Sequence, residues 1–199
     1  MIRQGKYVDN IKNRSYLRFL LGLIPRTRSK IKNSYTVWVA RRNGASIGKC
    51  VTMPLKLAQK ANANLTIGNY CSIQTDWIDL RSKVEIGNKV IIGFGVEILT
   101  TSHDVDSIEW ENKHYGIKIE DYAWIATKSF VLPSCRIIGK GAICAAGSVV
   151  FKNIKEMSIV TGNPAAHLRY RNNVHSNLAV ESLLGNDLER YCKTFIQNL

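Results

Sequence analysis

The sequence predicts an all-β solenoid, a stack of short strands wound into triangular coils. Two observations carry the prediction: an aliphatic residue returns at a step of six through residues 65–150, and one long gap interrupts that rhythm. The rungs are Ile67, Ile73, Leu80, Ile86, Ile92, Ile98, Ile119, Ile125, Val131, Ile138, Cys144 and Val150. Four positions after most of them stands a small or β-branched residue: Cys71, Val84, Val90, Val96, Ala123, Ser129, Cys135, Ala142 or Ser148. That residue lies two before the next rung, and residues two apart share a strand face. Each hexad is then one strand with two inward side chains, followed by a turn that Gly68, Gly87, Gly93 or Gly139 is expected to permit. Neither a helical period of about 3.6 nor hairpin alternation reproduces this step. Two seven-residue steps, Ile73 to Leu80 and Val131 to Ile138, read as single insertions in turns. The gap from Ile98 to Ile119 reads as a loop, 100–116, expelled on one face.

Taken in order, residues 1–42 form a basic arm, 43–171 the solenoid with its loop, and 172–199 a C-terminal helix. The arm holds eleven Lys or Arg against the single acid Asp9, so it carries +10 of the net +13. Its apolar run (Leu17, Phe19, Leu20, Leu21, Leu23, Ile24) is too short to cross a bilayer, which needs about 20 residues. Basic residues crowd it and no small-residue cleavage site follows, so it does not read as a signal peptide. Helix is expected through residues 1–33 in part, with Gly22 and Pro25 ending the run and strand formers taking over at Tyr35, Val37, Trp38 and Val39. An amphipathic helix capping the first coil and a shallow contact with an anionic membrane face both fit this composition. Nucleic acid does not, since no reading motif accompanies the charge. Ile47-Gly48 with Val51 looks like the first hexad, and residues 53–64 give no register. Leu184, Leu188, Tyr191, Phe195 and Leu199 recur at helical spacing at the other end.

Five cysteines without paired spacing, three of them on inward ladder positions (Cys71, Cys135, Cys144), read as small buried hydrophobes in a reducing compartment. No Cys-x-x-Cys pair suggests zinc, and His103, His114, His167 and His175 lack the three-histidine spacing of a metal-dependent β-helix enzyme. No metal is expected.

Three stretches add a resemblance to the repeat: Thr101-Ser102-His103-Asp104 after a coil that begins Ile86-Gly87-Asn88, the block Asp121-Tyr122-Ala123-Trp124-Ile125-Ala126, and Ala145-Ala146-Gly147-Ser148-Val149-Val150 followed by Gly162-Asn163-Pro164-Ala165. Over residues 47–171 the chain resembles the hexapeptide-repeat acyltransferases, most closely the galactoside and maltose O-acetyltransferase branch with its relatives in bacterial polysaccharide synthesis. The resemblance implies a left-handed parallel β-helix, a cytoplasmic homotrimer with sites between subunits, and acetyl-CoA as acyl donor. It implies His103 as general base, removing the proton of a sugar hydroxyl as it attacks the thioester. It places Trp124, Thr127, Ala146, Phe151, Lys152 and Arg169 along CoA, with Lys152 and Arg169 toward the phosphates. Phe151 stands where the family more often has a small hydroxyl residue, and Ala166 where the galactoside branch has a second base. Gln74, Asp76 and Asp79 lie where relatives contact the acceptor. Glu109 and Glu111 are candidates for holding a hydroxyl or orienting the imidazole. The expected function is therefore acetyl transfer to a carbohydrate hydroxyl. An N-acetyltransferase of an amino-sugar nucleotide or xenobiotic, and a non-catalytic scaffold, remain the other readings; affinity for acetyl-CoA separates the enzymes from the scaffold.

Overall fold

The computed structural model describes residues 4–176, 179–181 and 186–198. Two helices open the chain, α1 (Gln4–Lys12) and α2 (Tyr16–Arg42). Then come β1 (Ser46–Ile47), α3 (Leu55–Lys60), β2 (Leu65–Ile67), β3 (Ser72–Ile73), β4 (Val84–Ile86), β5 (Ile91–Ile92) and β6 (Glu97–Ile98). A hairpin of β7 (Thr101–His103) and β8 (Asn112–His114) interrupts the coils. They resume with β9 (Ile117–Ile119), β10 (Trp124–Ile125), β11 (Phe130–Val131), β12 (Ile137–Ile138), β13 (Ile143–Cys144) and β14 (Val149–Val150). β15 (Ser158–Thr161), β16 (Ala166–Tyr170) and helix α4 (Leu188–Ile196) complete the described elements.

Parallel pairing sorts the strands into the three sides of a prism. The first sheet runs β1-β2-β4-β9-β12, the second β3-β5-β10-β13-β15 with β16 added antiparallel, and the third β6-β11-β14. Every rung of the ladder is buried, and one apolar core runs the length of the stack. One rung moves: the third-sheet position opposite Ile98 belongs to Ile78, not Leu80. Leu80 lies in the following turn, where its carbonyl accepts the side-chain amides of Asn62 (3.1 Å) and Asn64 (2.9 Å). In the unassigned stretch 53–64, α3 stands where the first coil would have its third strand, with Met53, Leu57 and Ala58 facing the core.

The turn glycines do a different job from the expected one. Positive φ falls on Cys50, Tyr70, Lys89, Tyr122, Gly141 and Met157, one per coil at the corner between first and second sheets. Gly68 is needed for proximity instead: a Cβ there would sit 2.6 Å from the Gly87 carbonyl oxygen and 2.9 Å from the Asn88 amide nitrogen. Alongside, Asn69 Oδ1 accepts the Lys49 N–H (2.8 Å), Asn88 Oδ1 the Asn69 N–H (2.9 Å) and Asp121 Oδ1 the Asn88 N–H (2.6 Å), so each coil is tied to the next.

The arm departs most from expectation, because α2 continues through Tyr35–Val39 to Arg42. Tertiary packing overrides local preference there: Asn33, Thr36 and Ala40 recur on one buried helical face, and Val37 and Val39 pack against the prism core. Gly22 leaves room for Tyr191, whose hydroxyl would lie 2.2 Å from a Cβ at that position. Pro25 lies inside the helix; the N–H it lacks would have bonded the Leu21 carbonyl, on an exposed side where water can serve it. A second small core joins α1, α2 and α4: Phe19 stacks on Phe195 (3.9 Å between ring centroids) and Tyr191 (5.1 Å), and Arg26 pairs with Asp187 at 2.9 Å. Of the predicted helical stripe, Leu188, Tyr191 and Phe195 lie on α4, whereas Leu184 and Leu199 fall outside the described residues. Cys71, Cys135 and Cys144 are buried, and burial pushes the first two thiols up to about 11 and about 12, and the third upward as well.

Candidate active site

The expelled segment is built to hold one imidazole. Pairing of β7 with β8 sets His103 opposite Asn112, and Asp104 N–H donates to the Glu111 carbonyl at 2.8 Å. Trp110 adopts positive φ (52°) in the connecting turn, and its carbonyl oxygen lies 2.9 Å from His103 Nδ1. A carbonyl can only accept, so Nδ1 carries a proton, and in the neutral ring the lone pair then lies on Nε2. The Trp110 indole stacks on the imidazole at 5.2 Å between centroids, and the ring edge stays exposed. The arrangement holds the ring in one orientation with its Nε2 edge toward solvent. Orientation of the imidazole, for which Glu109 and Glu111 were candidates, falls to the backbone carbonyl between them; both acids are exposed.

Asp79 anchors this hairpin from the coil before it. Its carboxylate, 9% exposed, accepts from Thr101 Oγ1 (2.7 Å), the Thr100 N–H (3.3 Å) and the Arg81 guanidinium (2.9 and 3.0 Å). Burial works to raise its pKa, but the hydrogen bonds from Arg81, Thr101 and the two backbone amides outweigh it and hold the carboxyl well below the usual range. A depressed pKa stabilises the fold above the ordinary carboxylate value of about 4 and loses that contribution only as pH falls through the folded value. The anchor is therefore expected to persist through neutral and mildly acid pH. Asp79→Ala is expected to cost about 2 kcal/mol, mostly from the stranded Thr100 and Thr101 donors, since an Arg81 that is 64% exposed adds little. Melting curves together with kcat, which should fall more than the KM for acyl donor rises, check this.

The other expected site residues occupy different parts of the prism. Thr127 and Ala146 stack on the corner between second and third sheets, Gln74 enters the same corner one register position earlier, and Trp124 (42% exposed) lies on the adjoining face of the second. Asp76 is half-buried two residues on, in the same turn as Gln74. Phe151 and Lys152 lie exposed on the third-to-first corner, two coils beyond the hairpin, and Arg169 lies on β16, bonded to the Tyr170 carbonyl at 3.0 Å. One chain thus brings His103 beside Trp110 and Asp79 beside the hairpin, but holds the Trp124 corner apart from the imidazole. Phe94, 67% exposed on the corner coil before Thr127 with its carbonyl accepting the Lys128 N–H at 3.0 Å, was missed. Its signal was an aromatic between Gly93 and Gly95 at a turn position. Among the described residues no cluster of His, Cys, Asp or Glu suits a metal ion.

No family model matches the chain. It is 31% identical over 139 residues to WcaF of Escherichia coli (strain K12), a protein named for acetyl transfer in colanic acid biosynthesis; the match covers 69% of this chain and 75% of that one. A galactoside O-acetyltransferase of Lactococcus lactis is 31% identical over 106 residues, covering 52% of this chain and 50% of its own. Among solved structures, the hexapeptide-repeat-containing acetyltransferase VCA0836 of Vibrio cholerae aligns with a TM-score of 0.60 at 22% identity, over 82% of this chain and 98% of that one, and so has the same fold. With the six-residue ladder, the three-sided stack and a relative matched over three quarters of its length, the chain is an enzyme of the hexapeptide-repeat acetyltransferase family.

Proposed function

We propose that this enzyme moves the acetyl group of acetyl-CoA directly to a carbohydrate hydroxyl in bacterial polysaccharide synthesis, with His103 as general base. The observation that carries the proposal is the Trp110 carbonyl on Nδ1, which leaves Nε2 free to accept a proton. As the hydroxyl oxygen bonds to the thioester carbon, its proton passes to Nε2. The tetrahedral oxyanion collapses with loss of the C–S bond, and the imidazolium returns the proton to the CoA thiolate. No covalent enzyme intermediate is needed.

A left-handed homotrimer fits this chemistry. Trp124, Thr127 and Ala146 belong to a different corner from His103, so a crevice between adjoining copies would unite one subunit's imidazole with another's corner. Pantetheine would follow that corner, with Lys152 and Arg169 toward the phosphates, and the acceptor would lie near Gln74, Asp76, Glu109 or Glu111. Acetyl-CoA places the reaction in the cytoplasm.

CoA at about a hundredfold over its Kd should raise the melting temperature by about 5–10 °C. Release of CoA should then require a sugar hydroxyl. Release only with amino sugars would replace the O-acetyl reading, and a monomer in sedimentation would remove the shared site.

A further inference from the structure

The outward face of α2 carries an apolar stripe from end to end, broken once by Arg28. Leu17, Leu21, Ile24, Ile31, Tyr35 and Trp38 fall at alternating steps of four and three with Arg28 in the same line, so they form one straight stripe on the helix. Each of those six is 55–68% exposed, although the opposite face of the same helix is buried against the prism and α4. At 27 residues the helix is about 40 Å long. Among the described residues no helix is long and apolar enough to cross a membrane.

Two occupants suit such a stripe, and charge chooses between them. α2 contains seven Lys or Arg and no Asp or Glu. Two copies packed stripe to stripe would set Arg28 at a seam position and bring Arg18, Lys32 and Arg42 against cations of the same helix, with no acid to answer them. A bilayer surface with anionic headgroups answers both features. Apolar side chains enter the headgroup boundary while Arg28 reaches back out along its own stem, and the flanking Arg18 and Lys32 meet phosphates. Arg42 already lies over the Trp38 ring at 5.5 Å, an aromatic–cation pair suited to an interface that is apolar on one side and wet on the other.

We infer that α2 docks this enzyme flat on an anionic membrane surface through the Leu17–Trp38 stripe. The inference stands apart from the acceptor chemistry, because none of these side chains belongs to the active site.

The full-length protein is sedimented with vesicles of phosphatidylcholine alone and of equimolar phosphatidylcholine and phosphatidylglycerol, alongside two variants. The wild type should bind the mixed vesicles at least about tenfold more tightly than the neutral ones, and less tightly as salt rises. The triple variant Leu21→Ser, Ile24→Ser, Ile31→Ser and the double variant Arg28→Glu, Lys32→Glu should each lose about tenfold or more, with melting temperature and CoA binding unchanged, since all five positions are exposed. Equal partition of wild type and both variants, or no binding to mixed vesicles, overturns the inference. A triple variant with smaller assemblies in sedimentation but wild-type vesicle binding also overturns it, and assigns the stripe to a second copy of the chain.

Discussion

His103→Ala is expected to lower kcat by about a hundred- to ten-thousandfold, the usual contribution of a positioned general base. Affinity for CoA should stay within about twofold, because the imidazole lies on the hairpin rather than on the Thr127–Ala146 corner. The size of the effect comes from two constraints acting on one ring. Trp110 fixes the tautomer through its carbonyl and fixes the plane through its indole, so the lone pair on Nε2 needs no reorganisation before it accepts a proton. Steady-state kinetics with a sugar acceptor, paired with calorimetric titration of CoA, measure both quantities. Turnover within about threefold of wild type would remove His103 from the chemistry.

Gly68→Ala should have the largest effect on folding. A methyl group there meets the Gly87 carbonyl carbon at 2.7 Å and oxygen at 2.6 Å, and backbone within a stacked coil cannot swing aside as a side chain can. Relief requires the two coils to part, which strains the Gly68 N–H bond to the Ile86 carbonyl (2.8 Å) and the neighbouring Asn69–Asn88 tie. We expect a loss of about 3 kcal/mol or more, and a melting temperature lower by about 6–12 °C. The same change at Gly147, where a Cβ meets nothing within 4 Å, offers the contrast: positive φ is the only cost there, and the loss should be about 1 kcal/mol. Thermal unfolding of the two variants side by side separates crowding from backbone conformation; similar losses would contradict this account.

The prism was legible because its core has a period that nothing else shares, and each coil repeats the same burial at Ile86, Ile119 and Ile138. The single misplaced rung, Leu80 for Ile78, arose because both are aliphatic and only strand pairing with Ile98 distinguishes them. Tyr35–Val39 misled for a physical reason: β-branched and aromatic residues favour strands weakly, and burial of Thr36 and Ala40 on the prism outweighs that preference. Within the site, His103 could be named from its motif. The carbonyl of Trp110 could not, since any residue type supplies a carbonyl and only the turn's φ aims it. Asp79 looked like a ligand for the acceptor because an acid near a motif carries no mark of whether its oxygens are already satisfied, as these are by Thr101 and Arg81.

The spacing of the left-handed residues shows where this protein is free to vary in length. From Lys89 to Gly95, Tyr122 to Lys128 and Gly141 to Gly147 the chain takes six residues each time, so through these three coils two of the three edges keep one length; the coil before them gives up a single residue, Ile73 to Ile78 taking five where Ile92 to Ile98 takes six. The widest irregularity falls at the remaining edge, where the hairpin with His103 emerges. The proposed base is thereby lodged in the tract with the most freedom in length, which evolution or an engineer can lengthen, trim or swap while the scaffold beneath keeps its pitch.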